Sequence, residues 1–490
     1  MIKNNPRYRV GLFGNSNCIL LDGVASQLRK SNCDVLNFAL GGSPTPSHIY
    51  QLLSNWDSLK DCDFFVVEPS IIDLRFGENK KSIEYLTGYA QDFICALQSF
   101  EKPFYLLDFP WPQNIEKISA ASHAWRNIFN YFNGCVVDCY DAISKIASEY
   151  SIKDYEVFFR DQNGHLKYEF HEWIVGVLIS FQSSSYFNFC TGITIQPNLD
   201  FINRYKVINA TSLHGDFLLQ KRSTSLGSWE TVKLKPSKSY QINLEQEYEI
   251  IGLMGNFGEM SSSSIARTQW LQNKDIVTIS HSNKFLTSSP RGKLTLMFQT
   301  FPPGKLNTSN CYEFNLSQDS SVDQQLEFIG FLVKKPSINL NNPDINCHIS
   351  DNSNLFSSFM RSCIKSHPFH IGRDIVTANS KSLTFDEFKD SLLTAINNNF
   401  LSASDFSSLA RDLGIFFKRT GHQRISVSIF KGILEESPSS YWVRYNLVVT
   451  LIDLGEIQDA ICYAHPLIEA PDFSGRIELL QKLNLVSPSC

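Results

Sequence analysis

The first 180 or so residues alternate between short apolar runs and amphipathic patterns, and this alternation constrains the fold more than any other feature. The apolar runs are rich in β-branched and aromatic residues and lie at 8–13, 34–40, 62–67, 103–108 and 135–138. Helical patterns separate them, and a last one covers about 167–180. Buried strands that alternate with helices predict a parallel sheet covered on both faces. Ligands of such sheets bind at the carboxyl ends of the strands, so the loops after the strands should carry any chemistry.

The rest of the chain divides into regions of different pattern. Residues 186–335 alternate in strand-like fashion, are broken by Gly, Pro, Ser and Asn, and predict an antiparallel β-sandwich-like module. Residues 336–383 are rich in Asn, Ser and Pro and are predicted to form a linker or irregular segment. Helical periodicity covers 384–490. With 1–183 as an α/β domain, we expect a multidomain chain, which agrees with roughly 150 residues per domain.

The helical region contains a repeat of 34 residues, the spacing that separates Gly421 from Gly455. The other matching positions are Leu413, Gly414, Phe417, Phe430 and Pro438 in the first unit and Leu447 and Ala460 in the second. This pattern resembles a tetratricopeptide array of about two to three units. The resemblance implies a protein partner, because such arrays bind peptides or other proteins. An ordinary helical bundle is the alternative.

The balance of charges argues against one large class of function. Lys and Arg together number 44 and Asp and Glu together 49, which gives a formal net charge of −5. Proteins that bind nucleic acids need a basic excess to neutralise phosphates, so we expect no nucleic-acid partner. Apolar residues make up 43% of the chain, which excludes a disordered protein because sizeable cores can form.

The cysteines indicate neither a metal site nor a disulfide framework. All 12 are scattered without metal-ligand spacing, so we expect no bound metal and a reducing compartment. The sequence contains no apolar run of about 18 residues and no signal-peptide pattern near its start. No membrane span and a cytoplasmic location are therefore expected.

The loop after the first apolar run contains the first candidate for catalysis. Ser16 stands in the segment GNSNC, residues 14–18, between a predicted strand and a predicted helix. Its own amide and the start of a helix can stabilise an anion at that place. Serine also caps helices very commonly, and on this segment alone both roles stay open.

Two further loops carry candidates at the same predicted end of the sheet. Gly41 and Gly42 follow the second strand and would let a backbone amide approach an oxyanion, although a plain tight turn uses such a pair as well. Asp161 and His165 precede the last helix and offer a base with the carboxylate that orients it. A lone loop histidine is often only a surface residue. The combination with Ser16 favours nucleophilic catalysis over coincidence.

Together these segments make residues 7–181 resemble the SGNH hydrolases, also called GDSL-type esterases and lipases. Residues 14–17 match the first block of that family, residues 37–43 its glycine block and residues 161–165 its terminal Asp/His block. The resemblance implies a flavodoxin-like sheet and acyl transfer through a serine ester. It further implies Ser16 as nucleophile, His165 as general base, Asp161 as orienting carboxylate, the amides of Ser16 and Gly42 as oxyanion donors, and Gly41 and Ser70 as neighbouring oxyanion or substrate-binding positions.

The sequence departs from the family pattern in three places. Asn15 replaces the Asp that commonly precedes the serine. Ile72 stands where the third block usually supplies an oxyanion asparagine, and the loss of one such donor costs about 10²–10³ in rate. Three residues instead of two separate Asp161 from His165.

Four other residues are weaker candidates. Cys18 in the first loop is expected to be buried, and His171 on the last helix is an alternative to His165 as the base. Glu68 ends the third strand, where a structural salt bridge is favoured over contact with a substrate. Trp111 lies between two prolines and is expected to anchor a loop, with stacking on a sugar ring as the alternative.

The resemblance implies serine-dependent acyl-ester chemistry on a carbohydrate. We expect O-acetyl transfer to, or ester hydrolysis from, a bacterial surface polysaccharide of the capsular or O-antigen type, because the added modules suit a bulky substrate. No tightly bound cofactor is expected, and acetyl-CoA would be the acyl donor of a transferase. The alternative is a catalytically lapsed SGNH-like scaffold that binds protein partners through its helical repeats.

Overall fold

The fold is that of a computed structural model of the 490-residue chain. The structure describes residues 8–69, 80–112, 115, 118–149, 155–161, 164–183, 203–224, 227–235, 238–256, 265–272, 275–282, 296–302, 305–317, 326–336, 351–364, 367, 371, 374–375, 385–397, 406–419, 421–469, 479 and 483.

A five-stranded parallel sheet forms the first part of the chain. Its strands are β1 (Tyr8–Phe13), β2 (Cys33–Asn37), β3 (Phe64–Val67), β4 (Phe104–Asp108) and β5 (Cys135–Asp138). They lie in the order β2-β1-β3-β4-β5, and each neighbouring pair is parallel. The helices of this part are α1 (Ser16–Ile19), α2 (Val24–Lys30), α3 (Pro46–Ser54), α4 (Trp56–Leu59), α5 (Lys80–Gln98), α6 (Ala120–Tyr131), α7 (Cys139–Glu149) and α8 (Tyr168–Gln182).

The apolar runs of the sequence form these strands because both faces of the sheet are covered. All four residues of β3 and all five of β4 are buried. A strand that is buried on both faces contains no alternating polar positions, which is why the runs are continuous. The predicted α/β domain with a parallel sheet is confirmed, and all carboxyl strand ends meet along one edge of the sheet.

A ten-stranded antiparallel sheet follows. Its strands are β6 (Tyr205–Asn209), β7 (His214–Gly215), β8 (Leu218–Thr224), β9 (Gly227–Lys233), β10 (Ser239–Asn256), β11 (Ile265–Gln272), β12 (Asp275–Ser282), β13 (Leu296–Thr300), β14 (Ser309–Leu316) and β15 (Glu327–Lys334). The first half of β10 pairs with β14 and its second half with β15 and β13, and the register shifts between Asn243 and Tyr248. The strands on either half of β10 contribute aromatic side chains to one core, in which the ring of Trp270 stacks on that of Phe314 and contacts that of Phe331.

The C-terminal part is helical. Its helices are α9 (Asp351–Cys363), α10 (Phe385–Asn397), α11 (Phe406–Arg419), α12 (Gln423–Glu436), α13 (Tyr441–Asp453) and α14 (Ile457–Glu469). From α11 onward each helix packs against the next one in the chain. Gly414 lies under the ring of Phe430, and a Cβ there would come within 2.5 Å of it.

The helix α9 lies in the segment 336–383, for which the sequence predicts a linker. This helix, α9, is rich in Asn and Ser, but Phe356 and Met360 are spaced four residues apart and both are buried. The spacing places them on one face, and burial of that face stabilises a helix whose composition alone does not favour it.

The chain divides into two compact units. The first comprises residues 1–110, 117–139 and 182–358, and the second comprises 111–116, 140–181 and 359–490. The sequence predicts a boundary between 183 and 186. The two sheets nevertheless belong to one unit, in which the ring of Tyr50 on α3 packs on that of Phe298 on β13.

Candidate functional site

Ser16 is the partly exposed residue of an otherwise buried loop. Gly14, Asn15, Asn17 and Cys18 around it are all buried. Ser16 begins the single-turn helix α1, and the cap position is held by Asn15, which makes no side-chain capping bond. The structure therefore does not use Ser16 as a helix cap. A helix of four residues also adds little dipole, so an anion here would depend on individual amides.

The carboxylate of Glu68 holds this loop from the end of β3. Its Oε2 accepts a hydrogen bond from the Asn15 amide at 2.8 Å, and its Oε1 accepts one from Asn17 Nδ2 at 3.0 Å. The side chain of Asn15 in turn donates to the carbonyl of Pro69 at 3.3 Å. Glu68 thus bonds to the residues on both sides of Ser16, which the sequence does not predict.

The glycine loop after β2 is attached to the same segment. Leu40 donates its amide to the carbonyl of Gly14 at 2.9 Å, and the Ser43 amide donates to Asn15 Oδ1 at 3.3 Å. Gly42 has a φ of +65°, a backbone conformation that a residue with a side chain rarely adopts. The predicted oxyanion glycine therefore belongs to a loop that is hydrogen-bonded to the loop of Ser16.

Asp161 and His165 form a hydrogen-bonded pair. The distance from Asp161 Oδ2 to His165 Nδ1 is 2.6 Å, and the pair remains partly open to solvent, with side-chain exposures of 41% and 20%. An antiparallel bridge between Phe159 and Leu166 closes the loop, and the Arg160 amide donates to the carbonyl of His165 at 2.8 Å. The extra residue between the two partners therefore does not keep the carboxylate from the imidazole.

The structure describes every predicted site residue except Ser70. Asp161 and His165 lie in the second unit and contact each other. Ser16 and Gly42 lie in the first unit, in loops that are joined by hydrogen bonds. Gly41 belongs to the same glycine loop, whereas Ser70 lies outside the described residues. The pairing of Ser16 with His165 stays a prediction.

The weaker candidates are placed more simply. Cys18 is fully buried, as expected, and burial together with the charge of Glu68 raises the pKa of its thiol. His171 is also fully buried on α8, which makes it unsuitable as a base that must meet a substrate. Trp111 is half-buried, in agreement with a loop anchor.

Sequence reasoning missed a buried charge cluster at the carboxyl ends of β4 and β5. Arg126 of α6 contacts Asp108 and binds both oxygens of Asp138 at 2.7 and 2.8 Å. Ser122 donates to Asp108, whose pKa is raised by burial and lowered in part by the nearby guanidinium. The aspartates end apolar runs, but Arg126 is 18 and 12 residues from them, so the sequence gives no local signal. These groups satisfy one another, which is typical of a structural cluster.

Neither a metal-binding cluster nor a membrane-spanning helix occurs among the described residues. No group of three or more His, Cys, Asp or Glu side chains is arranged to hold a metal ion within the described ranges. Among the helices that the structure describes, none is long and apolar enough to cross a membrane.

No protein-family model and no curated protein matches the sequence. Among solved structures, the chain is similar to a two-domain esterase (CEX) active on acetylated mannans, co-crystallized with mannopentaose, with a TM-score of 0.49 and 14% identity over 68% of this chain and 92% of that one. It is also similar to Axe2, an acetylxylan esterase from Geobacillus stearothermophilus, with a TM-score of 0.28 and 12% identity over 39% of this chain and 98% of that one. Both TM-scores are below 0.5.

Proposed function

We propose that the chain is a serine esterase that acts on acyl esters of a carbohydrate. The observation that carries the proposal is the hydrogen bond of 2.6 Å between Asp161 and His165. A carboxylate on Nδ1 fixes the imidazole tautomer and leaves Nε2 to accept a proton, as a general base must. Ser16, which is partly exposed among buried neighbours, is the nucleophile that this base would serve.

The reaction follows from these groups. Ser16 Oγ attacks the ester carbonyl carbon while its proton passes to Nε2 of His165, and the negative charge on the carbonyl oxygen is stabilised by the amides of Ser16 and Gly42. The bond to the leaving alcohol then breaks, and the alcohol takes the proton from His165. In the second half, water or a sugar hydroxyl attacks the acyl-serine and gives its proton to Nε2 of His165. The bond between the acyl group and Ser16 Oγ then breaks, and Oγ takes the proton back from His165. Attack by water makes the chain an esterase, and attack by a sugar hydroxyl makes it an O-acyltransferase.

The finer parts of the proposal rest on the sequence. The carbohydrate substrate follows from the resemblance to SGNH hydrolases, and a bacterial surface polysaccharide suits a chain with an added β module and helical region. The cytoplasmic location, and acetyl-CoA as donor of a transferase, remain proposals of the same kind. We also propose that α11–α14 are tetratricopeptide-like repeats, because Gly421 and Gly455 lie between successive paired helices.

A fluorophosphonate probe tests the proposal, because it reacts with an activated serine. We expect the full chain to be labelled, and labelling to disappear in Ser16→Ala and His165→Ala. Ser119→Ala is the matched control: this serine caps α6 by accepting the Ser122 amide at 3.1 Å, so its loss should leave labelling intact. A folded wild-type chain that is not labelled would refute the esterase proposal.

Hydrolysis and transfer are separated by a second assay. The release of p-nitrophenol from p-nitrophenyl acetate is measured with and without polysaccharide acceptors, and acetylated acceptor is sought by mass spectrometry. A transferase gives acceptor-dependent release and acetylated product. A rate that no acceptor changes supports hydrolysis.

A second candidate function is a scaffold that binds proteins through its helices. The observation that favours it is a pair of aromatic side chains at the start of α13, where Tyr441 and Trp442 are 48% and 60% exposed. Exposed aromatic residues are enriched where proteins bind one another. The scaffold proposal is supported if the folded chain is not labelled by the probe but binds a partner protein, and if the double variant Tyr441→Ser/Trp442→Ser does not bind that partner.

A further inference from the structure

Glu68 is buried directly beside the candidate nucleophile. Its side chain is 3% exposed, and its two oxygens bond to Asn15 and Asn17, the residues on either side of Ser16. The backbone of Glu68 is held as well, since its amide donates to the carbonyl of Phe13 at 2.9 Å. The carboxylate is therefore attached to β3 on one side and to the loop of Ser16 on the other.

Two groups that bond to the Glu68 side chain, the Asn15 amide and Asn17 Nδ2, are both hydrogen-bond donors. Burial and the nearby charge of Glu68 raise the pKa of the Cys18 thiol, so this neighbour stays protonated. At Gly14 an added Cβ would lie 2.9 Å from Glu68 Cβ and 3.0 Å from Glu68 Oε2, so glycine permits the close approach. An ionised carboxylate accepts bonds at both oxygens, whereas a glutamine would turn an NH₂ group toward one of the donors.

We propose that Glu68 is a positioning residue for Ser16, acting through its bonds to Asn15 and Asn17. This inference rests on the proposed serine-ester chemistry, and it assigns a role that the resemblance does not supply. Fixing both flanking residues holds the Ser16 hydroxyl and amide in one geometry. A nucleophile that moves by about 1 Å loses about 10²-fold in rate, because the near-attack geometry is lost.

The test reverses the direction of one hydrogen bond. Glu68→Gln places an NH₂ group opposite Asn17 Nδ2, and Asn17→Asp places a second carboxylate opposite Glu68. The double variant Glu68→Gln/Asn17→Asp restores a donor facing an acceptor and leaves the total charge unchanged. We expect each single variant to lower kcat for p-nitrophenyl acetate about 10–100-fold with KM unchanged. The double variant should recover to within about threefold of wild type, because the two changes are coupled.

Glu327→Gln is the matched control. Glu327 is a buried glutamate of the antiparallel sheet that also accepts from an asparagine, Asn256 Nδ2 at 3.0 Å, and it bonds to Arg222. We expect this variant to lower the melting temperature without changing kcat. A purely structural role of Glu68 would give the same result for Glu68→Gln, namely lower stability with normal kcat, and would overturn the inference.

Two further comparisons keep the outcome decisive. Asn17→Ala removes one bond and adds no clash, so it tests the inference even if Glu68→Gln does not fold; a kcat within twofold of wild type would overturn the inference. A double variant that folds and is no faster than Glu68→Gln would also overturn it. Failure of the proposed function itself gives a different result. If the chain is not a serine esterase, the Ser16→Ala variant has the same hydrolysis rate and the same probe labelling as the wild-type chain.

Discussion

The pair of Asp161 and His165 gives the sharpest prediction, which is that Asp161→Asn lowers activity and leaves stability nearly unchanged. An asparagine is nearly the same size, but its NH₂ group can occupy the place of the oxygen that bonds to His165 Nδ1 at 2.6 Å. The imidazole then keeps its proton on the wrong nitrogen, and Nε2 no longer accepts the proton of the serine. In a serine-protease triad the same replacement lowers kcat about 10⁴-fold.

The magnitude here follows from the exposure of the pair. With side chains that are 41% and 20% exposed, water can replace part of the lost interaction, so we expect kcat to fall about 10²–10⁴-fold. That fall is equivalent to about 2.7–5.4 kcal/mol of activation free energy. The free energy of unfolding should change by only about 0–1 kcal/mol, because exposed ion pairs stabilise proteins little. The backbone bonds that close the loop at Arg160 and Phe159 do not involve the changed atom.

The assay measures kcat for p-nitrophenyl acetate together with chemical denaturation of the same sample. Asp141→Asn is the matched control, since Asp141 forms a partly exposed pair with Lys145 at 2.8 Å and has no place in the proposed chemistry. Its kcat should equal that of wild type. The assignment of Asp161 is refuted if Asp161→Asn keeps kcat within threefold of wild type while Ser16→Ala is inactive. A loss of activity that only follows a loss of folded protein would refute it too.

Three other predictions concern buried groups and the glycine loop. Burial lowers the pKa of His48 and His281 from 6.5 to about 4, so below pH 6.5 the unfolded chain binds more protons than the folded one. The free energy of unfolding should therefore be highest above pH 6.5 and should fall toward pH 4 by about 1.4 kcal/mol per pH unit for each histidine. Denaturation at several pH values measures this slope, and His→Gln variants should reduce it. Burial raises the pKa of Glu169 above its usual 4.5, so the contribution of Glu169 to stability is lost as the pH rises. Glu169→Gln should therefore raise the free energy of unfolding by about 1–3 kcal/mol at pH 7 and have little effect near pH 4. Equal stability of the variant and the wild type at pH 7 would contradict this prediction. Gly42→Ala should cost about 1–2 kcal/mol of stability and lower kcat because φ is +65° there, whereas Gly41→Ala, without a positive φ, should do neither as strongly in the same assays.

The sheet could be predicted from the sequence because its signal is local. The run at 62–67 contains β3, Phe64–Val67, and the run at 135–138 is β5 itself. Such runs are visible because they are short stretches of consecutive apolar residues, with Asp63 and Asp138 as their polar positions. The helix α9 could not be predicted in the same way. Its composition favours an irregular segment. The four-residue spacing of Phe356 and Met360 fits a helix, but the sequence does not show that both side chains are buried, and this burial decides the outcome.

The site was predictable where its partners are close in the chain. Asp161 and His165 are four residues apart, and their pairing needs only the closed loop between Phe159 and Leu166. The bonds of Glu68 join residues that are 51 and 53 positions apart, and only the adjacency of β1 and β3 in the sheet brings them together. Sequence order gives no sign of that adjacency, so the bonds of Glu68 to Asn15 and Asn17 could not be predicted.

The energetics of the Ser16 loop bear on whether the chain is an enzyme or a lapsed scaffold. Asn15, Asn17, Ser43 and Glu68 are all buried, and burial of polar groups costs free energy that their mutual hydrogen bonds offset without a large surplus. Apolar side chains of similar size would stabilise a scaffold at least as well. What the polar arrangement adds is a fixed geometry around Ser16, the residue of this segment that stays accessible between buried neighbours. A scaffold has no use for a rigidly held, accessible serine, whereas an acyl-transferring enzyme depends on one.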